Sequence, residues 1–230
     1  MSDALTVPRA LAAEFLGPAL LAGVVVGSGI LAERLAAGNA AVALLGNTLA
    51  TVTALGVLIV LFGPLSGAHF NPAVSLVFAL RRELAWRRAA AFGATQLIAM
   101  TLGVWIAHAM FEQPVLQWSS KVRASYGEML GEFVATFWLL LTIVGTRAAR
   151  ADWSALTVPA AIAAGYWFTS STSFANPAIT IARALTDTFS GVRPADVVPL
   201  VAAQILGALA ASAVSRRLFG SGTAPTASPL

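Results

Sequence analysis

The sequence predicts an all-α membrane protein: six transmembrane helices plus two re-entrant half-helices, arranged as an inverted repeat. Three observations carry this prediction. Of 230 residues, 58% belong to the AVILMFWYC set and only 10% are charged, against roughly a quarter in soluble domains, and the mean hydropathy is +0.80. Several apolar runs approach the roughly 20 residues a helix needs to cross a bilayer. Segments of the first half also recur in the second. Such a composition excludes an ordinary soluble enzyme, and six spans leave no room for a separate catalytic domain.

In chain order, spans are expected near 10–32, 41–63, 86–109, 127–147, 154–171 and 195–218. The first is read as a retained span, because MSDALTVPRALAAEFLG lacks a basic start and its apolar run continues through Leu31, too long for a signal-peptide core. Stretches at about 71–80 and 177–188 are apolar but too short to cross. The expected organisation is a single domain over 1–219, with repeat one at about 10–110 and repeat two at about 127–218. The tail at 220–230, GSGTAPTASPL, is low-complexity and expected to be disordered. With a cytoplasmic N-terminus, nine arginines fall inside and five basic residues outside, which favours both termini in the cytoplasm. The net charge of +4 therefore reflects topology, and no nucleic-acid partner is expected. Trp86 and Trp153, and Trp105 and Trp118, suit the two interfacial aromatic belts.

The repeat shows in three places: AEFLGPALLAGVVVG (13–27) against GEFVATFWLLLTIVG (131–145), HFNPAVSL (69–76) against FANPAITI (174–181), and ATQLIAM (94–100) against AAQILGA (202–208). The offsets are 118, 105 and 108 residues in the same chain order. Three spans per half is an odd number, so the second copy enters the membrane from the opposite side.

The boxes Asn71, Pro72, Ala73 and Asn176, Pro177, Ala178 each start a short helix, since Asn is a favoured N-cap and Pro a favoured first helical residue. A helix that begins inside a bilayer must have its non-helical approach buried in protein or lined by water. Two such helices from inverted repeats would meet N-terminus to N-terminus, placing two positive dipole ends and two amide donors on one aqueous path. That arrangement suits small neutral solutes and disfavours cations. His69 lies in the approach, either holding the loop or touching solute. Glu14 and Glu132 occupy matching depths, where a carboxylate needs partners; the re-entrant N–H groups supply them, making both structural braces. Gln96 and Gln204 are read as interhelical hydrogen-bonders.

These residues resemble the aquaporin, or major intrinsic protein, family: paired Asn-Pro-Ala boxes, the SGAHFNPAV string, and a Glu in spans one and four. The resemblance implies a pore in each subunit, a homotetramer and a multi-pass cell-membrane location, here a bacterial inner membrane. Most members place Arg directly after the second box, as part of an outer aromatic/arginine constriction; here that position is Ile179. Carrying over the remaining constriction positions by spacing gives Thr51, Ala164 and Ser173, a ring with neither aromatic nor arginine. Arg183, four residues past Ile179, is expected in the pore or vestibule, where it either compensates for the missing arginine or, the preferred reading, pairs with Asp187 at i+4. The string ANPAITIARALTDTF resembles a bacterial subgroup associated with arsenic-resistance operons, implying arsenite or methylated arsenicals as solutes.

The expected function is a passive channel for small uncharged solutes such as metalloid hydroxides, with glycerol and water possible. The alternatives are a water or glycerol channel without a metalloid role, and an inverted-repeat secondary transporter. No enzyme is expected: there is no Cys, no metal-ligand cluster, and neither His69 nor His108 has a triad partner. No cofactor or metal is expected.

Overall fold

The structure, a computed structural model, describes residues 3–220. It contains α1 (Asp3–Leu35), α2 (Ala40–Ser66), α3 (Pro72–Leu80), α4 (Trp86–Met110), α5 (Tyr126–Arg150), α6 (Ser154–Phe168), α7 (Pro177–Ala182) and α8 (Pro194–Phe219). Among the described residues there is no strand. The expected tail lies outside the described residues, apart from Gly220.

Six helices cross and two do not. The helical stretch Tyr126–Phe168 runs for 43 residues, about 65 Å at 1.5 Å per residue, twice what a bilayer core needs. A 3-10 turn at Ala151–Trp153 breaks it into the antiparallel pair α5 and α6. Since the crossings are even in number, the chain returns to the end from which it set out.

Local sequence explains the helix ends. Asn39 caps α2, its side chain accepting from Ala41 N and Val42 N, after a turn in which Gly38 adopts φ +85°. Ser125 and Glu128 form a reciprocal capping box at the start of α5. The half-helices α3 and α7 each open on Asn-Pro. The second tightens sooner: after six residues it becomes a 3-10 turn, Arg183–Leu185.

Two close crossings, α1 with α4 in the first repeat and α5 with α8 in the second, hold each half together from within. Gly103 faces the carbonyl of Ala19 and Gly207 that of Phe133, each so closely that a Cβ would overlap the oxygen. Without a hydrophobic drive between helices in lipid, this backbone approach supplies the packing. Large apolar side chains such as Leu16, Leu20, Leu49, Val57, Ile98 and Leu206 face outward. Trp86, Trp118 and Trp153 are exposed, whereas Trp105 is partly buried against the core.

Gly103→Val should therefore destabilise the protein by about 2 kcal/mol, the scale of core overpacking, lowering the thermal midpoint in detergent. Gly93→Ala, whose Cβ would come no nearer than 3.9 Å to Pro72, should not lower it.

Candidate functional site: a cavity at the meeting of two half-helices

The chain enters the membrane interior twice as non-helical backbone, at 67–71 and 169–176. Each approach needs three left-handed residues. In the first, Gly67, Ala68 and Phe70 have φ of +87°, +49° and +50°; in the second, Thr172, Ser173 and Ala175 have +60°, +53° and +49°. The two sets match position for position at an offset of 105. Five of the six are not glycine, and each costs on the order of 1 kcal/mol.

Two buried carboxylates hold these loops. Glu14 Oε1 accepts from the His69 N–H at 2.8 Å and the Ser66 hydroxyl at 2.6 Å, while Oε2 accepts from the Phe70 N–H at 2.8 Å and Gln96 Nε2 at 2.7 Å. Glu132 repeats the pattern, accepting from the N–H groups of Phe174 and Ala175 at 2.8 Å and from Gln204 Nε2 at 2.5 Å. Gln96 also reaches Ser75 Oγ, and Gln204 reaches Thr180 Oγ1, so each glutamine ties a brace to its half-helix.

The half-helices meet through their caps. Asn71 Oδ1 accepts from Ala73 N and Asn176 Oδ1 from Ala178 N. The amides cross: Asn71 Nδ2 donates to the Ala175 carbonyl at 2.8 Å, and Asn176 Nδ2 to the Phe70 carbonyl at 2.9 Å. Each asparagine thus satisfies the carbonyl that precedes the other, and both line one cavity of about 530 Å³.

Thr51, Ser173 and Ile179 also line this cavity, with His69 and Arg183. The His69 ring packs between Phe78 and Phe92, with centroids at 4.8 and 5.5 Å, and its Nδ1 lies 3.1 Å from Ser75 Oγ. The Thr51 hydroxyl is buried without a hydrogen-bond partner.

Three expectations are corrected. Ala164 is exposed on the outward face of α6 and does not reach the cavity, whereas Val158, Ile162 and Tyr166, at helical spacing on the opposite face, do. The cavity wall also contains aromatics and an arginine: Tyr166, Phe174 and Arg183. Nor does Arg183 pair with Asp187. The 3-10 turn at Arg183–Leu185 and extended Thr186 remove the i+4 relation. Arg183 is buried, donates through Nε to the Ser190 carbonyl, and sits over Phe174 with Cζ 3.4 Å from the ring centroid. Asp187 instead accepts from Ser120 N and Oγ at 2.9 and 3.0 Å, bonds that hold its carboxyl below the usual carboxylate range.

His108, which the sequence marks only as lacking a triad partner, has a structural place. It is fully buried, with Nδ1 2.9 Å from the Val115 carbonyl and Nε2 2.8 Å from Thr186 Oγ1. A carbonyl only accepts, so Nδ1 carries a proton, and Nε2 shares a hydrogen bond with the Thr186 hydroxyl. This fastens the end of α4 to the segment after α7.

Glu132→Gln turns a buried amide against a backbone N–H and orphans a donor, at roughly 1–3 kcal/mol. The expected outcome is a lower thermal midpoint together with loss of solute flux through liposomes; unchanged flux would show that the second loop holds without its carboxylate.

The sequence matches the Major intrinsic protein family model over residues 1–170. It is 49% identical over 211 residues to the Aquaglyceroporin AqpS of Rhizobium meliloti, covering 92% of this chain and 90% of that one. It is 31% identical over 180 residues to Aquaporin NIP1-4 of Oryza sativa subsp. japonica, covering 77% and 63%. The solved structure of the aquaglyceroporin from Plasmodium falciparum superposes with a TM-score of 0.69 at 18% identity, over 92% of this chain and 97% of that one, a likeness of fold. With the family matched over most of its length, the chain belongs to the major intrinsic protein family and is a multi-pass membrane channel, not an enzyme.

Proposed function

We propose that the protein is a passive channel for small uncharged solutes, carrying trivalent metalloid hydroxides such as arsenite, and methylated arsenicals, along with glycerol and water. The observation that carries this reading is the pair of crossed asparagine amides in a cavity whose wall is otherwise mostly apolar. Two helix N-termini and two amide groups make the centre a donor site, favourable to hydroxyl oxygens and hostile to cations. The Thr51 hydroxyl, unpartnered in protein, adds a polar group in the wall. On this reading residues 1–219 form one channel domain of two inverted repeats. The protein is a homotetramer in a bacterial inner membrane, with both termini cytoplasmic.

The relatives' names, aquaglyceroporin and aquaporin, favour a second reading: a glycerol or water channel without a metalloid role. Side-by-side fluxes of water, glycerol and arsenite in proteoliposomes separate the two. Arsenite flux no greater than that of empty liposomes would leave only the second.

Ile179 sets the bulk of the constriction and Arg183 its charge. Ile179→Arg adds a second cation one turn from Arg183 and fills the path. We expect glycerol flux to fall about tenfold, the scale of a barrier raised by 1.4 kcal/mol, with water flux changing less. Arg183→Ala removes the guanidinium seated on Phe174 and should change the glycerol-to-water ratio, an outcome that a vestibular Arg183 paired to Asp187 would not give. The chain has no Cys, so flux should also be insensitive to thiol reagents; rapid block by a micromolar mercurial would contradict this.

A further inference from the structure

A second arginine lines the same cavity at the end opposite Arg183. Arg147, in the last turn of α5, lays its guanidinium over Phe78, with Cζ 4.6 Å from the ring centroid. Phe78 and Arg183 each stand seven positions past their asparagine. On a helix that is about 10 Å along the axis, so the two arginine-aromatic stacks bracket the asparagine pair.

The charge of Arg147 is not cancelled. Its carboxylate neighbour, Glu83, lies at 3.8 Å through Oε2, but Glu83 Oε1 is bound to Arg81 Nε at 2.7 Å. One carboxylate therefore serves two guanidinium groups. Asp152 also lines the cavity, yet both its oxygens are taken by Arg150, at 3.2 and 2.9 Å. Phe78 beneath the guanidinium is buried, and Ile143, one turn earlier on α5, and Ile59 line the same cavity.

We propose that Arg147, seated on Phe78, is a second specificity-determining residue of the channel. It selects solutes that present acceptor oxygens on one edge and carbon on the other. The planar fork donates to the oxygens, while Phe78 and the isoleucines take the carbon side. Water, which bonds equally from any side, gains less from such a surface. The uncompensated charge turns cations away before they reach the centre. This inference rests on the reading that the channel conducts polyol-sized neutral solutes.

The test uses the full chain in proteoliposomes, with glycerol and water permeabilities measured by stopped-flow light scattering for the wild type, R147M and R147K. Methionine keeps length and apolar contact with Phe78 but removes the donors; lysine keeps charge but not the fork. The expected result for R147M is a glycerol-to-water ratio lower by about threefold, the scale of one hydrogen bond lost from a partly exposed site. A thermal midpoint in detergent close to that of the wild type reports a folded pore, and R147K should recover part of the ratio. An unchanged ratio in R147M overturns the proposal, as does a joint rise of both fluxes, which would make Arg147 a mere plug. Absence of glycerol flux in the wild type is read before any variant is compared and overturns the broader reading as well.

Discussion

Everything at the centre of this protein depends on two carboxylates buried where a membrane protein can least accommodate unpartnered polar groups. The loops at 67–71 and 169–176 carry left-handed residues that an L-amino acid chain does not adopt without compensation, and their N–H groups have no helical partner. Glu14 and Glu132 each accept two consecutive N–H groups from these loops. Because the carboxylates sit on α1 and α5, the long helices fix where the loops lie, and the loops fix where Asn71 and Asn176 begin their helices. The crossed amides follow from that placement. With the braces removed, strain and orphaned donors act in the same direction, which makes the site fail as a unit.

The part of this arrangement that was legible in the sequence is the polar part. Glu14, Glu132, Gln96 and Gln204 stand out because a polar residue deep in an apolar run must have a partner, and the Asn-Pro boxes carry their own local physics as cap and first helical residue. The cavity wall was less legible for a definite reason. Placing Ala164 required counting backward from the second box across 169–175, a segment with three left-handed residues that carries no helical phase. An offset of two residues on α6 is a rotation of about 200°, enough to turn a side chain from the cavity to the lipid. Ile162 and Tyr166 are each two positions from Ala164 and face inward. The Arg183 to Asp187 pairing failed similarly: an i+4 argument holds on an α-helix, and this helix ends as a 3-10 turn before the fourth residue is reached.

The two halves share their braces and caps but not their walls. Repeat one places Phe78 where repeat two places Arg183, and each half completes the pair with a residue from elsewhere: Arg147 comes to Phe78 from α5, and Phe174 to Arg183 from the adjoining loop. The backbone symmetry thus sets two equivalent levels about the asparagines, while the side chains reach similar chemistry by different routes. Their surroundings differ as well. Arg183 is buried and tied to the Ser190 carbonyl, whereas the Arg147 side chain is 47% exposed and shares its carboxylate.

That difference bears on how each guanidinium acts. A buried cation bonded through Nε to a backbone carbonyl has a fixed orientation, so its effect on a passing solute is largely geometric, through the width and donor directions it imposes. A half-exposed cation loses much of its field to solvent and salt, so what it contributes depends on its donors and on the Phe78 ring beneath it. Water screens the charge of Arg147 but cannot replace the ring beneath it. At that mouth the fork donors act together with the apolar floor beneath them, while at the opposite mouth the fixed donors of Arg183 set the geometry.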